Sequence, residues 1–103
     1  MKFPVLKRKY YTIYFEYGTF EDTEVIFAHA DVYKWNKEVK EEFKQACTVL
    51  FVIQELPVFV GCDKDNIKLK KFVKLNNFKL YCDDVEVEDG SHKELYIWRQ
   101  QNG

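Results

Sequence analysis

The sequence predicts one α+β domain built on a mostly antiparallel mixed sheet with two main helices. Three observations point there. Two segments with the 3.6-residue period of a helix stand among short segments with the alternation or apolar continuity of strands. The chain has 103 residues, too few for two independent cores. Its apolar share of 47% suits a globular domain and is too high for a disordered chain. The expected order is β-β-α-β-α-β-β.

The first strand is read over residues 10–17. Tyr11, Ile13, Phe15 and Tyr17 fall on one face and Tyr10, Thr12 and Tyr14 on the other. Both faces are aromatic, so the strand is either covered twice or offers one face to a partner. Gly18 is expected to begin a turn, followed by a second strand over 23–33 built on Val25, Phe27, Val32 and Tyr33. Asn36 is a good N-cap, since its side-chain oxygen can accept an early helical N–H. Glu38, Glu41 and Glu42 follow, where carboxylates suit the positive helix end. Val39, Phe43, Cys47, Leu50 and Gln54, joined by Ala46 and Ile53, then mark an amphipathic helix of about four turns. Its later half, residues 48–53, is apolar all round and rich in β-branched side chains, which implies a buried end or an early break.

Residues 56–62 are almost wholly apolar and read as a central strand buried on both faces. Asp63 or Asp65 should cap a second helix over 66–75, with Leu69, Phe72 and Val73 inward and Ile67 nearby. Asn76 and Asn77 end it, because Asn tolerates the left-handed conformation of a helix terminus, and Phe78 folds back. Strands are expected over 79–82, 85–88 and 94–98, with turn chemistry at Asp89-Gly90 between the last two.

Composition narrows function more than it names it. Sixteen basic against seventeen acidic residues leave a net charge of −1, which disfavours nucleic acid and acidic membrane surfaces as partners. No apolar run approaches twenty residues, and the N-terminus lacks the apolar stretch of a signal peptide. Three widely spaced cysteines, Cys47, Cys62 and Cys82, read as reduced thiols of a cytoplasmic protein. The aromatic share of 17% exceeds what a small core readily hides, so some rings should lie on a surface.

The run from Asn66 to Phe78, after an apolar strand, resembles the C-terminal half of the GNAT family of N-acetyltransferases. That family carries the pattern N-x-x-A-x-x-L-Y-x-K-x-G-F and then two closing strands. Asn66, Leu69, Phe72, Asn77 and Phe78 take the Asn, small apolar, Leu, Gly and Phe places. In its shortness the chain is most similar to the diverged GNAT-like proteins of tailed bacteriophages. The resemblance covers about forty C-terminal residues and implies a single GNAT-like domain over 1–103.

Two departures matter. The family's tyrosine, which protonates the thiolate leaving group of coenzyme A, stands where this chain has Val73, a side chain with no proton to give. The family's glycine-rich pyrophosphate loop corresponds to Tyr33-Lys34-Trp35-Asn36-Lys37-Glu38, which contains no glycine and runs straight into carboxylates.

If acetyl-CoA still binds, the resemblance places Lys34 and Lys37 at the phosphates and Asn66 at the pantetheine arm. The plainer reading makes these two lysines solvated and Asn66 an ordinary helix-start residue. An active enzyme would need direct amine attack, with water or Glu16 as base. Cys62 lies just before a helix start, where a thiol pKa can fall, but nothing brings His29 or His92 to it. A metal site from His29, Asp31, His92 and a cysteine lacks diagnostic spacing. Asp83, Asp84, Glu86, Glu88 and Asp89 form an acidic cluster around the last hairpin, more often a solvated feature than a site.

Lys64, Lys68, Lys70, Lys71 and Lys74 make the second helix basic. With the tyrosine-rich strand they admit weak binding of single-stranded nucleic acid, against which stand the missing motifs and the acidic net charge. The remaining expectation is an interaction surface at Tyr10, Tyr14, Tyr17, Trp35, Lys68 and Lys71. It suits a non-catalytic binder without cofactor, acting on a host protein in the cytoplasm, or a homodimer.

Overall fold

The computed structural model describes residues 1–87 and 89–98. Among them are six strands and two helices, in the order β-β-β-α-β-α-β-β. The α+β class and the two helices agree with the sequence reading, and an additional strand precedes the expected pair. The chain falls into two compact units, Met1–Val58 and Phe59–Gly103. No helix among the described residues is long and apolar enough to cross a membrane.

In the first unit, β1 (Lys2–Lys7), β2 (Tyr11–Phe20) and β3 (Thr23–Val32) form an antiparallel ladder in that order. β1 escapes sequence reading because Lys-Phe-Pro-Val-Leu-Lys has neither clean alternation nor a sustained apolar run. Its Pro4 is tolerated because β1 has a ladder partner on one side only, and the register slips between Pro4 and Leu6. Gly18 does not begin a turn; it lies inside β2 opposite Val25. The turn comes at Glu21 and Asp22, both in the left-handed region at φ 52° and 62°. Such positive angles match the twist of a two-residue hairpin. Glycine is needed at 18 for another reason: a Cβ there would sit 2.7 Å from Cε2 of Phe27.

Helix α1 (Lys37–Val52) starts as expected, with Asn36 Oδ1 accepting the Val39 amide at 2.9 Å. It buries Val39, Phe43, Cys47 and Phe51. Tyr11 and Phe43 meet edge to face at 5.0 Å, and Phe15 and Phe51 lie 6.1 Å apart. Tyr11 also donates to Glu42 Oε1 at 3.0 Å. These contacts seat α1 on the Tyr11–Ile13–Phe15 face of β2. The later half of α1 neither breaks early nor is wholly buried: it stays helical to Val52 while Val49, Val52 and Ile53 are exposed. Beyond it the Pro57 carbonyl accepts the Ile26 amide of β3 at 2.9 Å.

β4 (Val58–Asp63) begins at the boundary between the units. Adjacent residues of a strand point to opposite faces, and both Val58 and Phe59 are buried, as expected of a strand covered twice. In the second unit, β6 (His92–Trp98) pairs antiparallel with β4 on one side and with β5 (Phe78–Glu86) on the other. Residues 79–82 and 85–86 are not separate strands but parts of β5, whose register shifts twice, after Leu80 and after Cys82. Glu88, read as the end of a strand, lies outside the described residues. The turn at Asp89-Gly90 is present: Gly90 has φ +83° and Asp89 Oδ1 accepts the Ser91 amide at 2.9 Å.

Helix α2 (Ile67–Leu75) is capped by neither Asp63 nor Asp65. Their carbonyls instead accept the Asn66 and Ile67 amides in the preceding turn, and Asn66 Oδ1 takes the Leu69 amide at 3.1 Å. Asn77, at φ 70°, leads out of the helix as expected.

Candidate interaction surface

With α1 on one face of the first sheet, the other face carries the partners set by register. Thr12 stands opposite Asp31, Tyr14 opposite His29 and Glu16 opposite Phe27, with Lys2 and Pro4 beside them on β1. Side chains directly opposite in an antiparallel pair share a face. Here two hydrogen-bonded pairs are fixed among them. His29 Nε2 lies 3.1 Å from Glu16 Oε1. The Thr12 and Tyr33 hydroxyls are 3.0 Å apart. The nearby Asp31 carboxylate raises the Tyr14 pKa above that of a free phenol. The bond to His29 holds the Glu16 carboxyl below its usual range. His29, Asp31 and Tyr33 are exposed and Tyr14 is half-buried.

Lysines cover part of this aromatic surface. Lys2 Nζ sits 4.8 Å from the Tyr14 ring centre, and Lys9 and Lys34 lie 5.4 and 5.1 Å from that of Tyr10. Tyr17 and Trp35 belong elsewhere. Tyr17, 58% exposed, is on the helix-bearing face and packs on Phe3 with ring centres 5.6 Å apart. Trp35 follows β3 and meets Phe43 of α1 edge to face at 6.0 Å. Of the four aromatic residues singled out from sequence, only Tyr14 lies in the outer-face register; Tyr10 stands in the bend before β2, and the other two rings are on the helix side. His29, Asp31 and Tyr33 were not in that set. The signal lay in the hairpin register, which cannot be counted until the turn is placed at Glu21-Asp22.

The positions carried over from the acetyltransferase pattern have local duties. Lys37 is exposed at the start of α1, where Asn36 already takes one helix amide and Glu38 adds a negative charge. Asn66 spends its side-chain oxygen on the α2 cap. Val73 is only 3% exposed. Cys47 and Cys62 are buried, and burial pushes their thiols up to about 12 and about 11. The fall in thiol pKa considered for Cys62 is thus reversed by desolvation. Its neighbours Glu94 and Lys70 are occupied with each other at 3.0 Å. The histidines pair with carboxylates, His29 with Glu16 and His92 Nδ1 with Asp84 Oδ1 at 2.8 Å. Among the described residues no three His, Cys, Asp or Glu side chains are gathered to hold a metal ion.

The basic face of α2 is narrower than its sequence suggests. Lys64 bridges to Asp84 at 3.3 Å and Lys70 to Glu94, which leaves Lys68, Lys71 and Lys74 exposed without an ion-pair partner among the described residues. Compared with known proteins, the chain matches no family model, no curated protein and no solved structure.

Proposed function

We propose that this chain is a non-catalytic binding protein that acts by covering a surface of another protein. In this reading its second half is a diverged GNAT-like unit, and the partner is a host protein modulated by a small phage-encoded binder. One observation carries the binding reading: the outer face of the first sheet presents Tyr14, a Tyr33 held by Thr12, and a Glu16–His29 pair. Side chains already held to one another lose little rotamer freedom when a partner docks. Tyrosine is also favoured where interfaces concentrate their binding energy. Tyr14, between Pro4 and His29 in the register, is the expected hot spot.

Three features favour binding over acetyl transfer. Buried Val73 stands at the proton donor's place. The first turn of α1 has an amide committed to Asn36 and a carboxylate at Glu38, a poor cradle for pyrophosphate. Glu16, with its pKa lowered by His29, is a weakened base.

The test is capture of a partner from a bacterial lysate by the intact chain, repeated with Tyr14→Ala, His29→Ala and a Lys68→Glu/Lys71→Glu variant. Circular dichroism checks that each variant is folded. Loss of the same captured protein with folded Tyr14→Ala supports the outer face, and equal capture by all variants removes it. Micromolar binding of acetyl-CoA by calorimetry would restore the enzyme reading. A salt-sensitive gel shift with single-stranded nucleic acid would favour the third alternative.

A further inference from the structure

Two loops at one end of the first sheet gather positive charge. The β1–β2 connection, residues 8–10, and the stretch between β3 and α1, residues 33–36, hold Arg8, Lys9 and Lys34 and no acidic residue. The Tyr10 carbonyl accepts the Tyr33 amide at 2.8 Å and the Lys34 amide at 3.4 Å, which ties the loops together. The Lys9 and Lys34 ammonium groups both stand over the Tyr10 ring, 5.4 and 5.1 Å from its centre. A neutral ring attracts each cation but cancels neither charge. Lys9 and Lys34, like Lys7 at the end of β1, are exposed and have no ion-pair partner among the described residues. The carboxylates around these loops are engaged elsewhere. Glu42 lies 3.8 Å from Arg8 and accepts from the Tyr11 hydroxyl, and Asp31, opposite Thr12, lies by Tyr14.

We propose that this loop end docks an acidic segment of a partner protein, with Lys9 and Lys34 as the anchoring charges. The proposal rests on the binding reading above and names the chemistry of the partner. Cations left unanswered within the chain are complementary to carboxylates spaced along such a segment, and complementary charge steers encounter and fixes orientation. The ring faces decide against nucleic acid. Single-stranded bases need open aromatic faces on which to stack. Here lysines stand over Tyr10, and Trp35 is turned edge to face with Phe43. The net charge of −1 also tells against a long phosphate backbone, whereas a short acidic segment needs only the local cluster.

Fluorescence anisotropy of a labelled oligoglutamate peptide with the full chain tests it. Binding is expected at low ionic strength and should fall as salt is added. Lys9→Glu/Lys34→Glu should weaken it at least about tenfold, since two attractive charges become repulsive. Lys68→Glu/Lys71→Glu changes the net charge equally, but in α2, and should keep most of the affinity. Circular dichroism checks folding. If Lys9→Glu/Lys34→Glu does not fold, Lys9→Gln/Lys34→Gln against Lys68→Gln/Lys71→Gln carries the same comparison. No binding by the parent chain, equal loss in both pairs of variants, or tighter binding of an oligothymidylate of equal charge would each overturn the proposal. So would a salt-sensitive dimer abolished by Lys9→Glu/Lys34→Glu, which gives the surface to a second copy. The outer face is read separately, by Tyr14→Ala in lysate capture, so failure of one surface is told from failure of the other.

Discussion

Replacing Gly18 by alanine isolates one consequence of the hairpin register. Gly18 is not in the left-handed region, so an added methyl brings no backbone strain. By backbone entropy alone, Gly→Ala in a strand should stabilise by about 0.5–1 kcal/mol. Against this, the new Cβ would lie 2.7 Å from Cε2 and 3.1 Å from Cδ2 of the Phe27 ring. Relieving such overpacking typically costs about 1–3 kcal/mol. The net expectation is a loss of about 1 kcal/mol, or a fall in Tm of about 4–8 °C for a domain of this size. Urea and thermal unfolding followed by circular dichroism measure it. The decisive comparison is a double-mutant cycle: in a Phe27→Ala background the same alanine should be neutral or stabilising. An unchanged or raised Tm in the single variant, or an equal loss with Phe27 removed, would refute the packing argument.

Three further outcomes follow from local contacts. Asn36→Ala and Asn66→Ala each remove a cap and should cost about 1 kcal/mol, read from the midpoint of urea unfolding. Glu16, Asp84 and Glu94 have folded pKa values below their ordinary ones, through His29, His92 and Lys70 respectively. Their stabilisation is therefore complete above the ordinary carboxylate range and lost as pH falls through the lowered values. Stability should decline below roughly pH 4, and His29→Ala should move the Glu16 titration upward in carboxyl-detected NMR. Finally, Cys82, which is half-buried, should react with a thiol reagent in the folded protein. Cys47 and Cys62 should react only after unfolding, because burial raises both thiols.

The helices were legible because their signals are local. Asn36 and the Val39–Phe43–Cys47 spacing mark α1 before any tertiary contact is known. The α2 stop at Asn76-Asn77 is equally local, and only its cap was misplaced, by a few residues among Asp63, Asp65 and Asn66. Strands were read with less success. β1 carries a proline and two half-buried residues, and it exists because β2 offers it an edge. β5 was read as two strands because its double register shift interrupts the alternation that marks a strand.

The candidate surface divides along the same line. That Thr12 and Tyr14 face away from Tyr11 and Phe15 follows from the two-residue period alone. Which groups join them does not. The turn at Glu21-Asp22 brings Tyr14 opposite His29, and Glu16 within 3.1 Å of that ring. A shift of one residue would change which β3 side chains share the face with Tyr14.

What the chain determined by itself was its α+β class, its two helices, the Asn36 cap of α1 and the Asn76-Asn77 stop of α2, because these rest on contacts three or four residues apart. Only tertiary structure decided the third N-terminal strand, the use of Gly18 as a seat for Phe27, and the partners of each ionisable group. Those depend on residues 8 to 31 positions apart meeting through strand register and helix packing. No local period encodes where such distant residues will stop.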